Sequence, residues 1–338
     1  MTQVIHVPSG SQRALAFDEW GAPRGYPVFL LHGTPGSRHG PRPRASVLYR
    51  LGIRLICYDR PGYGRSDLLR GRSVAAAAAD VLAIADELSL DSFSVVGRSG
   101  GGPHALACAA NDKLRARLRS AAVLVPLAPA DADGLDWYDG MNPSNTEGYT
   151  GVSDQEARDT VVEILTERAG LIRQDPEYLL QFLQHELTEP DRRVVEDLGI
   201  RRLLTDTYRE ALRSGADGWI DDMLAFRKPW GFRLNAIQIP TLLWHGQDDV
   251  FSPASHTRWL AGQIPAKYCT VEMQPGAAHF DAVGVLPRML TWLKSAAAVG
   301  VASAARRSGS ERLWVQRPDQ APARAQYTDR RVPSADSR

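Results

Sequence analysis

A chain of 338 residues, 43% hydrophobic and 23% charged, is long and apolar enough for one large α/β core with an insertion, which excludes disorder of the whole. Its formal net charge of +1 gives no electrostatic reason to expect nucleic acid or an anionic membrane as the main partner, so the expected ligand is a small molecule without strong charge. No basic segment followed by an apolar run opens the chain, and no stretch approaches the roughly 20 apolar residues of a membrane span, so the expected location is the cytoplasm.

Short apolar runs then alternate with longer helical patterns. The runs are RALAFDEW, PVFLLHG, IRLICYD, FSVVGRS, AAVLVPL, PTLLWHG and YCTVEMQ, most of them ending in Gly, Asp or Pro. The middle runs are apolar on both faces, which suits buried parallel strands. Ser73 reads as the N-cap of a helix through Leu88, and Pro103 to Ala110 as a helix directly after Ser99. Strand alternating with helix predicts an α/β fold with a mostly parallel, doubly wound sheet. Cys57, Cys108 and Cys269 are odd in number, lack a CxxC and sit in apolar stretches, so they are expected to be buried and free in a reducing compartment.

The rhythm stops from about Asp131 to Asn235. SDQEARDTVVEILTERAG, DPEYLLQFLQHEL and RRLLTDTYREALRSG carry apolar residues at three- and four-residue spacing, which predicts four or five amphipathic helices. A strand at Pro240 to Trp244 resumes the sheet, so residues 131–235 read as a helical lid inserted into one core made of 1–130 and 236–298. Trp137, Tyr138, Met141, Trp219, Met223, Phe226 and Trp230 would wall an apolar pocket if they face the sheet, or else pack the lid on the core. Residues 299–338, with eight arginines, four acidic residues and few large apolar side chains, read as a disordered, dispensable tail.

One stretch carries chemistry. In VVGRSGGGPHALA, Ser99 stands between an apolar run and a helical pattern, and GxSxG in a strand, sharp turn, helix setting describes a nucleophile elbow. Gly97 and Gly101 are expected where a Cβ would collide with the neighbouring strand and helix. A serine hydroxyl needs a base to take its proton and an acid to hold that base. His279, in QPGAAHFD after the last strand, is the expected base. The expected acid lies in LLWHGQDDVFSP, where Asp248 and Asp249 project differently from one turn.

The order Ser99, Asp, His279, with GRSGG, HGQDDVFSP and PGAAH, resembles the α/β-hydrolase superfamily from about residue 12 to 298. The resemblance implies an α/β-hydrolase fold with a helical lid. It favours Asp249 over Asp248, because Gly246, Asp249 and Pro253 match the family's spacing around its acid. LLHGTPGSR resembles the loop that supplies half of the oxyanion hole, which implies the backbone amides of Thr34 and Gly100 as its donors. His32, Asp59, Arg60 and Arg65 are expected to shape loops rather than act.

The function expected on this basis is a cofactor-independent serine hydrolase, without a metal, that cleaves a small or medium apolar ester, amide or C–C bond through an acyl-enzyme. Three other readings stand beside it: a prolyl-iminopeptidase-like aminopeptidase, a cofactor-free perhydrolase, and a receptor-like ligand binder with little turnover. Thr34 and Arg98 depart from the iminopeptidase pattern, although Glu210, Asp221 or Asp222 would offer an acid to a substrate amine.

Overall fold

The computed structural model describes residues 2–7, 13–147 and 154–308. Among these, strands β1 (Gln3–His6), β2 (Ala14–Gly21), β3 (Tyr26–Leu31), β4 (Ile53–Tyr58), β5 (Phe93–Arg98), β6 (Leu118–Leu124), β7 (Thr241–Gly246) and β8 (Cys269–Gln274) form one sheet in the order 1-2-4-3-5-6-7-8. Strands β3 to β8 run parallel, while β2 pairs antiparallel with β1 on one side and with β4 on the other. The strand not anticipated is β1, whose four residues are mostly exposed and therefore lack an apolar run to read.

Side chains alternate faces along a strand, and here the alternation divides the core in two. Phe29 and Leu31 of β3, Val95 of β5, Val123 of β6 and Leu243 of β7 belong to one cluster. Their neighbours Val28, Leu30, Val96, Leu124 and Trp244 belong to the other. Both faces are apolar because both are covered, as a parallel sheet with helical crossovers requires.

The helices supply that cover. They are α1 (Ala45–Leu51), α2 (Ala77–Glu87), α3 (Gly101–Ala110), α4 (Pro143–Glu147), α5 (Asp154–Gln174), α6 (Tyr178–Leu183), α7 (Glu189–Glu196), α8 (Leu198–Ala211), α9 (Asp217–Phe226), α10 (Ala254–Gln263), α11 (Asp281–Gly284) and α12 (Leu286–Ser308). Leu48 of α1 and Leu286, Met289, Leu290 and Leu293 of α12 pack on one face. Val81 and Ile84 of α2, Ala105 and Leu106 of α3 and Leu260 of α10 pack on the other. Among the described residues, no helix is long and apolar enough to cross a membrane.

The structure moves several expected boundaries. Ser73 makes no side-chain cap bond. It precedes a short 3-10 turn, Val74–Ala76, and α2 begins only at Ala77. Among the described residues, the insertion between β6 and β7 holds six helices, α4 to α9, rather than four or five, and Asp197 caps α8 where it meets α7. Helix α12 continues past Lys294 and Val299 to Ser308, through an Ala-rich segment of high helix propensity. The rest of the expected tail, 309–338, lies outside the described residues. Cys57 and Cys108 are buried and all three cysteines are free, but Cys269 is only half-buried, since it begins the edge strand β8.

Close backbone packing fixes where α3 meets the sheet. A Cβ on Gly101 would collide with Leu31 O and stand 2.6 Å from His32 O, and one on Gly97 would strike Gly101 O and lie 2.8 Å from Ala105 Cβ. Gly262, on α10, has open space around it. Gly101→Ala should therefore cost about 1–3 kcal/mol in denaturant unfolding, since the atoms in the way are backbone. Gly262→Ala should instead be neutral or stabilising by up to about 1 kcal/mol, as a helix-propensity gain. Equal effects from the two would mean that the sheet yields to α3 at little cost.

Candidate active site

Each residue singled out in the sequence stands at the carboxyl end of a parallel strand: Thr34 after β3, Ser99 after β5, Asp249 after β7 and His279 after β8. Open α/β sheets bind their ligands at that edge, because the crossovers leave a crevice there. Ser99 has φ +54°, a left-handed conformation that its place between β5 and α3 imposes. Its amide donates to Leu124 O (2.9 Å) and its carbonyl accepts from Gly102 N (2.7 Å), so the turn is held from both sides.

Asp249 is buried and Asp248 is exposed. Asp249 Oδ1 accepts from the amides of Phe251 (2.8 Å) and Ser252 (3.0 Å), and Oδ2 accepts from His279 Nδ1 (2.8 Å). Burial raises the Asp249 carboxyl, but His279, His245 and these bonds outweigh it and hold the group well below the usual carboxylate range. The charge on Asp249 thus keeps the proton of His279 on Nδ1 and leaves Nε2 free to accept. His279 and Ser99 line the same cavity of about 110 Å³, without a direct hydrogen bond between them.

Thr34 and Gly100 border that cavity beside Ser99. Among the described residues, neither backbone amide donates to a protein acceptor. Gly100 precedes the first turn of α3, where the helix dipole also favours negative charge. A Cβ on Gly100 would strike Thr34 Oγ1, so the absence of a side chain is what lets the two loops approach.

The Thr34 loop is held from behind by buried polar groups. His32 donates through Nδ1 to Gly33 O (2.8 Å) and accepts the Arg60 amide at Nε2 (3.2 Å), while the Arg60 guanidinium bonds His32 O and Gly33 O. Asp222 of α9 accepts from Thr34 Oγ1 (2.7 Å) and Tyr63 OH (2.8 Å) and pairs with Arg60 and Arg72. Burial disfavours its charge, but the two guanidinium groups overcome that and hold its carboxyl far below the usual range. His104 lies at the edge of the cluster, where burial and the Arg60 charge push it down to about 3. Asp59 is spent in the same way on Arg38 and the Arg65 amide.

The three acids with which the sequence offered to hold an amine are all engaged elsewhere. Asp222 sits in this cluster, Glu210 pairs with Arg38 (2.7 Å) and Asp221 accepts from Gly71 N (3.3 Å). None of them lines the cavity. Of the seven aromatics and methionines singled out in the insertion, Trp219, Met223 and Phe226 line it. Trp137 and Trp230 are buried in the core instead, and Tyr138 is 37% exposed.

Three residues near His279 were not singled out as site residues in the sequence. Ser252 Oγ lies 3.2 Å from Asp249 Oδ2 and donates to Val125 O (2.8 Å). Buried His245 donates from Nε2 to Ser252 O (2.6 Å), with Asp249 Oδ2 at 3.3 Å. Asp191 of α7 is buried, accepts from Phe280 N (2.7 Å), and has its Oδ2 without a partner. The SP dipeptide after Asp249 was the one local hint, whereas Asp191 is distant in sequence.

Asp222→Asn leaves two buried guanidinium groups short of their counter-ion, so it should cost about 3–5 kcal/mol of stability in denaturant unfolding. A loss under about 1 kcal/mol would mean that water reaches the cluster. Burial pushes the Asp191 carboxyl up to about 6, above its ordinary 3.8. The folded state therefore keeps this proton where the unfolded state has lost it, a contribution full below about pH 4 and lost as pH rises through about 6. Asp191→Asn should flatten the corresponding fall of Tm between those values, and an unchanged slope would assign it to other groups.

The family model described as the alpha/beta hydrolase fold matches residues 26–282. A non-heme haloperoxidase from Rhodococcus erythropolis is 24% identical over 275 residues, covering 81% of this chain and 92% of that protein. A bifunctional esterase/perhydrolase from Acinetobacter calcoaceticus is 26% identical over 243 residues, covering 70% and 79%. Among solved structures, an alpha/beta hydrolase fold protein from Nakamurella multipartita superposes with a TM-score of 0.61 at 23% identity, over 88% of this chain and 99% of that one. With an eight-stranded, mostly parallel sheet and a family match over most of its length, the chain belongs to the α/β-hydrolase fold family.

Proposed function

We propose that the protein is a cofactor-independent serine hydrolase that cleaves a small ester through an acyl-enzyme, with Ser99 as nucleophile, His279 as base and Asp249 as the acid that orients it. The observation that carries this reading is a left-handed Ser99 opening on the same cavity as His279, whose Nδ1 is bonded to the buried carboxylate of Asp249 (2.8 Å). His279 Nε2 takes the proton of Ser99 Oγ as that oxygen attacks the ester carbonyl. The negative charge that develops is received by the amides of Thr34 and Gly100, which need no reorganisation to meet it. The resulting imidazolium protonates the departing alkoxide, and a water activated by the same nitrogen then releases the acid and regenerates Ser99.

Size follows from the cavity. An apolar cavity of about 150 Å³ holds a ligand the size of benzene, and this one is of that order, at about 110 Å³. The insertion is a lid in this reading, because α5, α6, α8 and α9 supply Leu165, Leu179, Phe182, Tyr208 and Met223 to the wall. Attack of hydrogen peroxide in place of water on the same acyl-enzyme would yield a peracid, a second reading favoured by the relative named as an esterase and perhydrolase. Peracid formed per acid released, measured with peroxide present, separates the two.

A fluorophosphonate probe should label the wild type and leave Ser99→Ala unlabelled, and equal labelling of both would sink the assignment. Asp249→Asn should lower kcat for an activated ester on the order of 10⁴-fold, through loss of the correct imidazole tautomer. Asp248→Asn, at an exposed position, should do far less. The reverse order would move the acid to Asp248.

A further inference from the structure

Resting on that reading, we infer that the substrate carries a carboxylate, bound by Arg98 within the cavity that holds Ser99. Arg98 is the last residue of β5, next to the nucleophile, and lines the cavity. A Cβ on Gly33 would lie 3.7 Å from Arg98 Nη2 and 3.5 Å from Ser99 Cβ, so the guanidinium and the nucleophile flank the same edge of the Thr34 loop.

Among the described residues, the Arg98 side chain makes no hydrogen bond or ion pair. Among the described residues, no aspartate or glutamate lines the cavity. The other cation in the wall, Arg168, is paired with Glu147 (3.3 Å) and lies over the ring of Phe182. Tyr208, the group whose charge would act on Arg98, has its hydroxyl pushed up to about 12 by burial and is neutral near pH 7. Burial also lowers the guanidinium itself, the direction expected of a charge without a counter-ion.

Arg60, Arg72 and Arg38, buried in this same protein, all have carboxylates, while Arg98 stands half-buried at the cavity wall. Arg98 lacks one where a ligand would sit. A single guanidinium fork matches the two oxygens of a carboxylate in its plane and balances its one charge, whereas a phosphate dianion would need a second free cation.

The test uses two esters of equal acyl length, mono(4-nitrophenyl) glutarate and 4-nitrophenyl pentanoate, with the full-length protein. The wild type should favour the glutarate in kcat/KM. Arg98→Gln should reduce the glutarate-to-pentanoate ratio by about 10- to 100-fold, the effect of one hydrogen-bonded charge pair. Arg98→Lys, which keeps the charge without the fork, should lose only part of it. Equal losses on both esters would overturn the proposal and make Arg98 a general stabiliser of the reaction or the fold. So would a wild type that prefers pentanoate.

Glutarate titrated calorimetrically into Ser99→Ala protein reads the site without turnover, and binding should vanish when Arg98→Gln is added. Absence of binding in Ser99→Ala sinks the carboxylate site, and tighter binding of inorganic phosphate would replace carboxylate by phosphate. Failure of fluorophosphonate to label the wild type, with glutarate still bound through Arg98, would sink the hydrolase reading alone.

Discussion

A carboxylate taken wholly out of water is stable as an anion only where positive charge and hydrogen-bond donors surround it, and Asp222 is such a group. Its charge is met by Arg60 and Arg72, and its oxygens by Tyr63 and Thr34. Breaking one partner out of such an assembly leaves an uncompensated buried ion, so its members keep their relative positions. This is a mechanical statement about the site. Asp222 belongs to α9 of the insertion, Arg60 and Tyr63 to the loop after β4, and Thr34 to the loop after β3. The loop beside Ser99 is thereby tied to the helices above it, and neither shifts without the other.

The opposite side of the cavity is organised by a second carboxylate in another way. Asp249 meets two backbone amides of its own turn, a serine hydroxyl and two histidines, and among the described residues no guanidinium pairs with it. That environment leaves its charge available to an imidazole rather than cancelling it. Between the two carboxylates stands the turn at Ser99, where the glycines at 97, 100 and 101 let β5, α3 and the Thr34 loop approach to backbone distance. The cavity is what remains when these three constraints are satisfied together. Arg98 faces it without a counter-ion, in contrast to the buried arginines behind the Thr34 loop.

Much of this was legible along the chain. Ser99 lies in a segment whose strand end, glycines and following helix are contiguous, and the family resemblance at Gly246, Asp249 and Pro253 favoured the acid that is buried over its exposed neighbour Asp248. Strand β1 was not legible, because an edge strand exposed on most positions has no apolar pattern to show. Helix α12 was read too short, because an Ala-rich helix continues without the large apolar residues that mark a packed face. The insertion acids Glu210, Asp221 and Asp222 looked available to a ligand. Nothing near them in sequence reveals Arg38, Gly71, Arg60 and Arg72, their partners from the core.

The sequence by itself determined the alternation of strand and helix, the turn that holds Ser99 and the edge of the sheet where the candidate site residues gather. These are consequences of local periodicity and of backbone conformations open to only a few residue types. Only the tertiary structure decided which charges cancel. In a chain with 40 basic and 39 acidic residues, the total near zero hides whether any one guanidinium has a counter-ion. Pairing depends on distances between segments far apart in sequence, such as Thr34 and Asp222, and on the water excluded between them. For the same reason the net charge is silent about a cavity in whose wall, among the described residues, Arg98 has no counter-ion, a feature that exists only once β5 and the insertion enclose it.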